Sequence, residues 1–419
     1  MGTLSQPAAT PLSDRSPGFP IRTRVFAVTW LAYAGCYLCR KNFSVLMPLL
    51  QRDAGISKLR LADILFGYSL CYALGQFLMG SLSDVFSPRI VVGFGLLLAA
   101  MSNMAMAGHP TYGFLLVLGM VNGLAQSSGW PGLTKTMAAW FRPEERGVVM
   151  GWWTTNYVFG GLVASLFAAW CIRDGQIGQG FVLPAVLLLG VAAVFLLLVK
   201  NRPAIVADDP GECESGSPLQ NYRAVMSEPA AWATAVAAFL VKVTRYSFLY
   251  WLPLYLTERL AYRPEQAGYL SSLYEFAGIA GALAAGYASD KLAGSRRYPV
   301  VCIMLLGLTV ACLVQPRLAA TGWAGTLAGI GFIGVMTFGP DTMLQGAACQ
   351  DVGGARHAAS AAGLVNGVAS LGQLLSPYLV AFVAARWGWD ILFGVFVAIA
   401  GLGAVVVAPF WNRRSPAAS

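Results

Sequence analysis

The chain has 419 residues, 57% of them hydrophobic and only 11% charged, with a formal net charge of +9. Soluble domains carry about 25% charged residues, so most of the outer surface of this chain is expected to face lipid. Two histidines, His109 and His357, without an H-E-x-x-H motif or a G-x-x-x-x-G-K-[ST] loop, argue against a metalloenzyme and against an ATP-driven pump. No metal and no cofactor is expected.

The first 22 residues are rich in Pro, Ser and Thr and lack a basic start followed by an apolar core, so they read as a tail rather than a signal peptide. Crossing about 30 Å of hydrocarbon takes about 20 apolar residues. Twelve such stretches follow, at 23–50, 60–84, 89–108, 111–140, 146–171, 178–199, 230–257, 264–289, 298–316, 321–349, 357–385 and 388–411. The polar segment 200–229, with Lys200, Arg202, Asp208, Asp209, Glu212, Glu214 and Arg223, separates a first half, 23–199, from a second, 230–411; residues 412–419 form a second tail. The expected class is an all-α membrane protein of twelve transmembrane helices in two six-helix halves. Of the Lys and Arg residues in loops and tails, 15 fall on the side of the two termini and eight on the other, which predicts cytoplasmic termini. The positive charge then belongs to topology and to a pocket, not to nucleic-acid binding. Seven cysteines (Cys36, Cys39, Cys71, Cys171, Cys302, Cys312 and Cys349) lie in apolar runs, where a thiol acts as a small hydrophobe.

The halves repeat. Gly80-Ser-Leu-Ser-Asp84 followed by Arg89 recurs as Gly286-Tyr-Ala-Ser-Asp290 followed by Arg296, at an offset of 206. Trp130-Pro131 and Gly339-Pro340 stand 209 apart, and Arg146 and Arg356 stand 210 apart. A parallel repeat of two six-helix halves predicts a site between them near the midplane. The Gly80/Asp84/Arg89 and Asp290/Arg296 elements, with Arg146, sit at span ends, where they are expected to latch conformations rather than touch substrate. The proline motifs are expected to bend spans four and ten, and Gly160, Gly161, Gly278 and Gly281 to allow close helix approach.

Two arginines lie deep, one in the first span of each half. Arg40 is 16 residues beyond Arg24, Arg245 is 17 beyond Glu228, and the offset between them, 205, matches the repeat. An arginine at a span centre costs roughly 2.5–3.5 kcal/mol on insertion scales and usually lines a substrate path. A guanidinium stays charged and offers a planar fork for phosphate or carboxylate oxygens. The alternative is a structural ion pair with a buried acid, Glu275 or Asp341; Arg245 could be held by Glu275, whereas Arg40 has no obvious partner in its own half. Lys41, Lys135 and Lys242 add cations within spans, which favours a multivalent anion. Tyr33, Tyr37, Arg40, Lys41 and Ser44 recur at helical spacing as one polar stripe, with Lys41 about 100° round from Arg40.

The string Tyr33-x-x-x-Tyr37-Leu-x-Arg40-Lys41-Asn42-Phe43-Ser44-x-x-Met47-Pro48 resembles the first span of the organophosphate:phosphate antiporter family of the major facilitator superfamily. Phe77-x-Met79-Gly80-Ser81-x-Ser83-Asp84, Gly129-Trp130-Pro131, Glu145-Arg146-Gly147, Arg245-Tyr246, Trp251-x-Pro253-x-Tyr255-Leu256 and Tyr274-Glu275-x-Ala277-Gly278 extend the likeness along the chain. The resemblance implies exchange of an organic phosphate for inorganic phosphate by rocking of the halves. It implies that Arg40 and Arg245 bind the phosphoryl group, with Tyr33, Tyr37 and Lys41 beside it. Gln76 stands where several members carry lysine, Asn156-Tyr157 where a histidine is common, and Lys242 where tyrosine is common, so Lys242 is read as replacing the lost cation.

The expectation is therefore a secondary transporter and not an enzyme, monomeric, in a bacterial inner membrane. Its partners are a small phosphorylated metabolite, inorganic phosphate and the bilayer. The expected binding residues are Arg40, Arg245, Lys41, Lys242, Tyr33, Tyr37, Gln76, Tyr157, Tyr274 and Glu275, with Glu275 pairing Arg245 when the site is empty. The alternatives are a transporter of another small anion, a carboxylate or nitrate, and a sugar-phosphate sensor signalling to a membrane partner.

Overall fold

The computed structural model describes residues 19–141, 149–150, 152–199, 223–294 and 296–413. Among these residues lie fourteen α-helices and no strand. The first half contributes α1 (Phe19–Cys36), α2 (Leu38–Ala54), α3 (Lys58–Val85), α4 (Pro88–Gly108), α5 (Tyr112–Gln126), α6 (Gly129–Trp140), α7 (Thr155–Cys171) and α8 (Ile177–Leu198). The second contributes α9 (Pro229–Leu260), α10 (Pro264–Tyr287), α11 (Arg297–Ala320), α12 (Trp323–Gln345), α13 (Ala347–Arg386) and α14 (Trp389–Val407). Spans one and four are each two helices, α1 with α2 and α5 with α6, so fourteen helices make twelve crossings.

Packing obeys the repeat. In the first half α3 packs on α5, α4 on α8, and α2 on α7; in the second, α10 packs on α12, α11 on α14, and α9 on α13. These are the same three pairings of spans, two with four, three with six, and one with five. Across the halves α7 meets α10 and α3 meets α13, again an equivalent pair, and α2 meets α9 on the axis between them. Outward faces of α4, α8, α10 and α14 leave Phe94, Leu197, Leu283 and Val405 more than 60% exposed, as lipid-facing residues must be.

Small residues set the closest approaches. A methyl group added at Gly281 would collide with the Val335 backbone, and one at Gly278 would lie 2.6 Å from the Phe338 ring, so α10 and α12 touch along that face. The break in span four falls at Ser127-Ser128, just before Trp130-Pro131, since Pro131 offers no amide hydrogen to the Ser127 carbonyl. Span ten is one helix, α12, with Pro340 inside it. Cys36 and Cys39 have C-x-x-C spacing at the break of span one, yet both are free and buried, and no metal-binding cluster occurs among the described residues.

Candidate functional site

The break in span one presents Arg40. Cys39 leaves helical geometry (φ −97°, ψ 16°), which frees its carbonyl to accept from Asn122 Nδ2 at 2.8 Å, Gln126 Nε2 at 3.1 Å and Asn103 Nδ2 at 3.4 Å. Three buried amides thus fix one carbonyl, and Gln126 faces the next residue: its Oε1 accepts from Arg40 Nε at 3.0 Å and from the Tyr68 hydroxyl at 3.2 Å. The guanidinium carbon lies 4.7 Å from the centre of the Tyr37 ring and 4.8 Å from that of Tyr72. Stacking and one hydrogen bond orient the fork, while Nη2 is buried without a partner among the described residues.

Arg245 is held differently. Its Nη1 donates to Asp341 Oδ2 on α12, and its guanidinium carbon lies 4.5 Å from the Phe338 ring centre and about as near as 5.8 Å and 5.9 Å to those of Tyr246 and Tyr157. Asp341 Oδ1 accepts from Gln345 Nε2 at 2.5 Å and lies 3.9 Å from Lys242 Nζ. Arg245 Nε, like Arg40 Nη2, is buried without a partner. The acid at Arg245 is therefore Asp341, which corrects the expected Glu275.

Glu275 turns instead toward the other half. It accepts from Ser165 Oγ of α7 at 2.9 Å and pairs with Lys41 Nζ of α2 at 3.6 Å. A side chain at Gly161 would put its Cβ 2.5 Å from Glu275 Oε1, so α7 can carry only glycine there without displacing the carboxylate. Lys41 is 1% exposed and donates to the Leu249 carbonyl at 2.8 Å. That carbonyl is available because Pro253, four residues on, has no N–H to bond it. Ser44 Oγ also lies 3.2 Å from it and donates to the Tyr250 carbonyl at 2.6 Å. Lys41, expected to contact substrate, thus joins the halves and is not among the residues that line the cavity. Tyr274 lies behind the cavity wall as well: it is 1% exposed and its hydroxyl donates to the Arg245 carbonyl at 3.4 Å.

The remaining expected residues converge on one cavity of about 330 Å³, lined by Arg40, Arg245, Lys242, Tyr33, Tyr37, Gln76, Tyr157 and Glu275. It adjoins a second region of about 460 Å³ that shares Tyr33, Arg245 and Lys242 and extends past Asp341, Thr342 and Gly346 toward the end of the molecule bearing both termini. The opposite end is shut by contacts between halves: Lys58 pairs with Glu258 at 2.8 Å, Gln51 Nε2 donates to Glu258 at 2.6 Å, and the Tyr378 hydroxyl donates to Asp63 at 2.9 Å. Cavity residues missed in the sequence are Tyr68, Tyr72, Trp130, Tyr246, Tyr250, Gln345, Asn366, Ser370 and Gln373. Their signal was present, as Tyr68/Tyr72 and Tyr246/Tyr250 repeat the i, i+4 spacing of Tyr33/Tyr37, and Asn366, Ser370 and Gln373 form a stripe along α13. Lys135 lies elsewhere, donating to the Ser83 carbonyl at 2.8 Å.

At the span ends Arg89 donates to the Leu196 carbonyl near the end of α8. Asp290 pairs with Arg297, whose Nε also donates to Asp351 at 3.1 Å. Among the described residues the Arg296 side chain bonds the nearby Ala293 carbonyl at 3.1 Å and not Asp290. Arg146 and the side chain of Asp84 lie outside what is described, as does the packing of Gly80.

The sequence matches the model of the Major Facilitator Superfamily over residues 29–370 and 257–419. It is 30% identical to the glycerol-3-phosphate transporter of Bacillus subtilis, covering 94% of this chain and 93% of that one. It is 27% identical to a probable hexose phosphate transport protein of Chlamydia trachomatis, covering 93% and 91%. Among solved structures, a bacterial homologue of the human lysosomal transporter Spinster, inward-facing and unoccupied, superposes with a TM-score of 0.77 over 94% of this chain and 96% of that one. At 12% identity that likeness concerns the fold alone.

Proposed function

Because the chain belongs to the major facilitator superfamily and, within it, to the organophosphate:phosphate antiporter family, we propose that it exchanges a small organic phosphate, of the sugar-phosphate or glycerol-phosphate type, for inorganic phosphate by alternating access. The observation that carries this reading is the pair of cavity arginines, each with a buried guanidinium nitrogen that lacks a partner among the described residues. Arg40, Lys41, Lys242 and Arg245 stand against two carboxylates, Asp341 and Glu275, a surplus of two positive charges among the described residues around the cavity. A phosphate monoester carries about −1.5 to −2 near neutral pH and has the oxygens to engage two forks. The tyrosines supply hydroxyl donors around it and stack the arginines in place.

Loop charges support cytoplasmic termini in a bacterial inner membrane, which makes the open end of the cavity the cytoplasmic one. Substrate bridging Arg40 and Arg245 draws the halves together on that side; the differential affinity for the occluded state drives the exchange. The test is uptake of labelled inorganic phosphate by proteoliposomes preloaded with phosphate. Wild type is expected to exchange, with glycerol phosphate or hexose phosphate competing, and Arg40→Ala and Arg245→Ala are expected to be silent. Failure of folded wild type to exchange phosphate, or equal competition by nitrate, would sink the reading.

A further inference from the structure

The charges around the cavity are confined to part of its wall. Among the described residues, α2 contributes Arg40, α9 Lys242 and Arg245, α10 Glu275, and α12 Asp341 in the adjoining region. Where α3 meets α13 across the halves the lining is neutral, with Gln76 from α3 and Asn366, Ser370 and Gln373 from one face of α13. The side-chain amides of Gln76, Asn366 and Gln373 have no hydrogen-bond partner among the described residues. Ser370 Oγ donates to the Asn366 carbonyl at 2.7 Å, which leaves the hydroxyl oxygen as an acceptor. The wall that α7 and α10 form is different. Tyr157, Val158 and Glu275 line it, and the Glu275 carboxylate is already taken by Ser165 and Lys41.

We infer that the α3–α13 wall is the subsite for the organic part of the substrate, and that this part is an uncharged group bearing several hydroxyls and not a second acid. The inference rests on the anion-exchange reading above and narrows the substrate class within it. A phosphate held by the two arginines fills only a fraction of the cavity of about 330 Å³, so the rest of a monoester must meet another wall. Each amide offers N–H donors and an acceptor oxygen, and the Ser370 oxygen accepts; a hydroxyl both donates and accepts, so a polyol can satisfy all of them. A carboxylate only accepts. It would use the N–H groups and face the amide and Ser370 oxygens with no proton to share. Charge argues the same way, because the phosphate dianion already matches the surplus of two positive charges. A second acidic group would be enclosed with no cation on its wall, and a buried charge without a partner is costly. That penalty falls on the acidic group and not on the phosphate that both kinds of ligand share, so it sets the ratio of their affinities.

The experiment measures displacement of labelled inorganic phosphate from purified full-length protein by glycerol 3-phosphate and by 3-phosphoglycerate, which share one skeleton and differ in a terminal hydroxymethyl against a carboxylate. In wild type, glycerol 3-phosphate is expected to displace phosphate at concentrations at least about tenfold lower. Gln373→Ala and Asn366→Ala should each lower the affinity for glycerol 3-phosphate by about tenfold relative to that for inorganic phosphate, which has no organic part to reach this wall. Gln373→Lys, which places a cation there, should shift the preference toward 3-phosphoglycerate by about tenfold. Equal displacement by the two esters in wild type, or a preference for 3-phosphoglycerate, overturns the neutral character of the subsite. An unchanged ratio of glycerol 3-phosphate to phosphate affinity in both alanine variants overturns its location. Loss of folded protein in both alanine variants also overturns it, because amides that serve only a ligand are dispensable for folding. If wild type binds no phosphate, the transport reading has failed; if it binds phosphate and does not favour glycerol 3-phosphate, only this subsite has.

Discussion

Arg40 and Arg245 occupy the same register of two equivalent helices, but their surroundings have little in common. Arg40 is stacked between Tyr37 and Tyr72 and tethered to an amide; Arg245 is bound to a carboxylate and covered by Phe338. The first half thus offers a charge that is oriented but uncompensated, the second a charge that is compensated in advance. Pseudo-symmetry has been kept in the pairing of spans, where both halves must rock alike, and given up in the breaks of spans one and four and in electrostatics, where a single asymmetric ligand has to be read. Negative charge entering the cavity meets its stronger attraction at Arg40.

That comparison can be broken most directly at the arginines. Arg40→Ala should reduce phosphate affinity by about 100-fold or more, since a buried charge-assisted contact is lost with nothing to replace it. Arg245→Ala should reduce it by less, because removing that cation also leaves Asp341 to Lys242; equilibrium binding of labelled phosphate ranks the two, and equal losses would contradict the asymmetry. Next comes the pair across the halves. Lys41→Met or Glu275→Gln alone leaves a buried charge unpaired at a cost of about 3–5 kcal/mol, whereas the double substitution should recover much of the lost thermal stability. Thermal unfolding of the four proteins measures the coupling, and additive losses would show that the two groups do not depend on one another.

Gly161→Ala should lower exchange and stability by about 1–3 kcal/mol through displacement of Glu275, visible as a lower unfolding temperature, and Gly190→Ala on the open face of α8 is the neutral control. Aromatic support is smaller still. Tyr72→Leu should weaken phosphate binding by about two- to fivefold, corresponding to one exposed cation–π contact, and Tyr72→Phe should weaken it hardly at all. The smallest expected effect is Arg297→Gln, which removes the cation that Asp290 and Asp351 share. It should shift phosphate exchange rates by no more than about fivefold while leaving equilibrium affinity unchanged.

The twelve spans, the repeat and the two deep arginines were legible in the sequence because each rests on a one-dimensional signal, an apolar run, a constant offset or a charge far from a span end. The partners of those arginines were not. Glu275 and Asp341 lie on adjacent helices at similar depth, and which carboxylate meets Arg245 depends on the rotation of α10 against α12, set by the contact of Gly278 and Gly281 with Phe338 and Val335. Lys41 misled for a related reason. A helical wheel puts it about 100° from Arg40, and only the break at Cys39 together with the bare Leu249 carbonyl of the other half decides that it turns away from the cavity. The stripe of Asn366, Ser370 and Gln373 was readable as a pattern, but nothing in the chain alone says that this face of α13 looks inward.

The missing hydrogen of Pro253 has a consequence for how this protein tolerates change. The Leu249 carbonyl that receives Lys41 and Ser44 belongs to the main chain, so no substitution at position 249 can delete it and no shift in acidity can discharge it. The seam between the halves is robust to drift at the acceptor and fragile at Pro253, which takes no part in its hydrogen bonds. Replacing Pro253 with alanine would return the carbonyl to its own helix, and the closed end would loosen although every side chain that holds it shut remained in place.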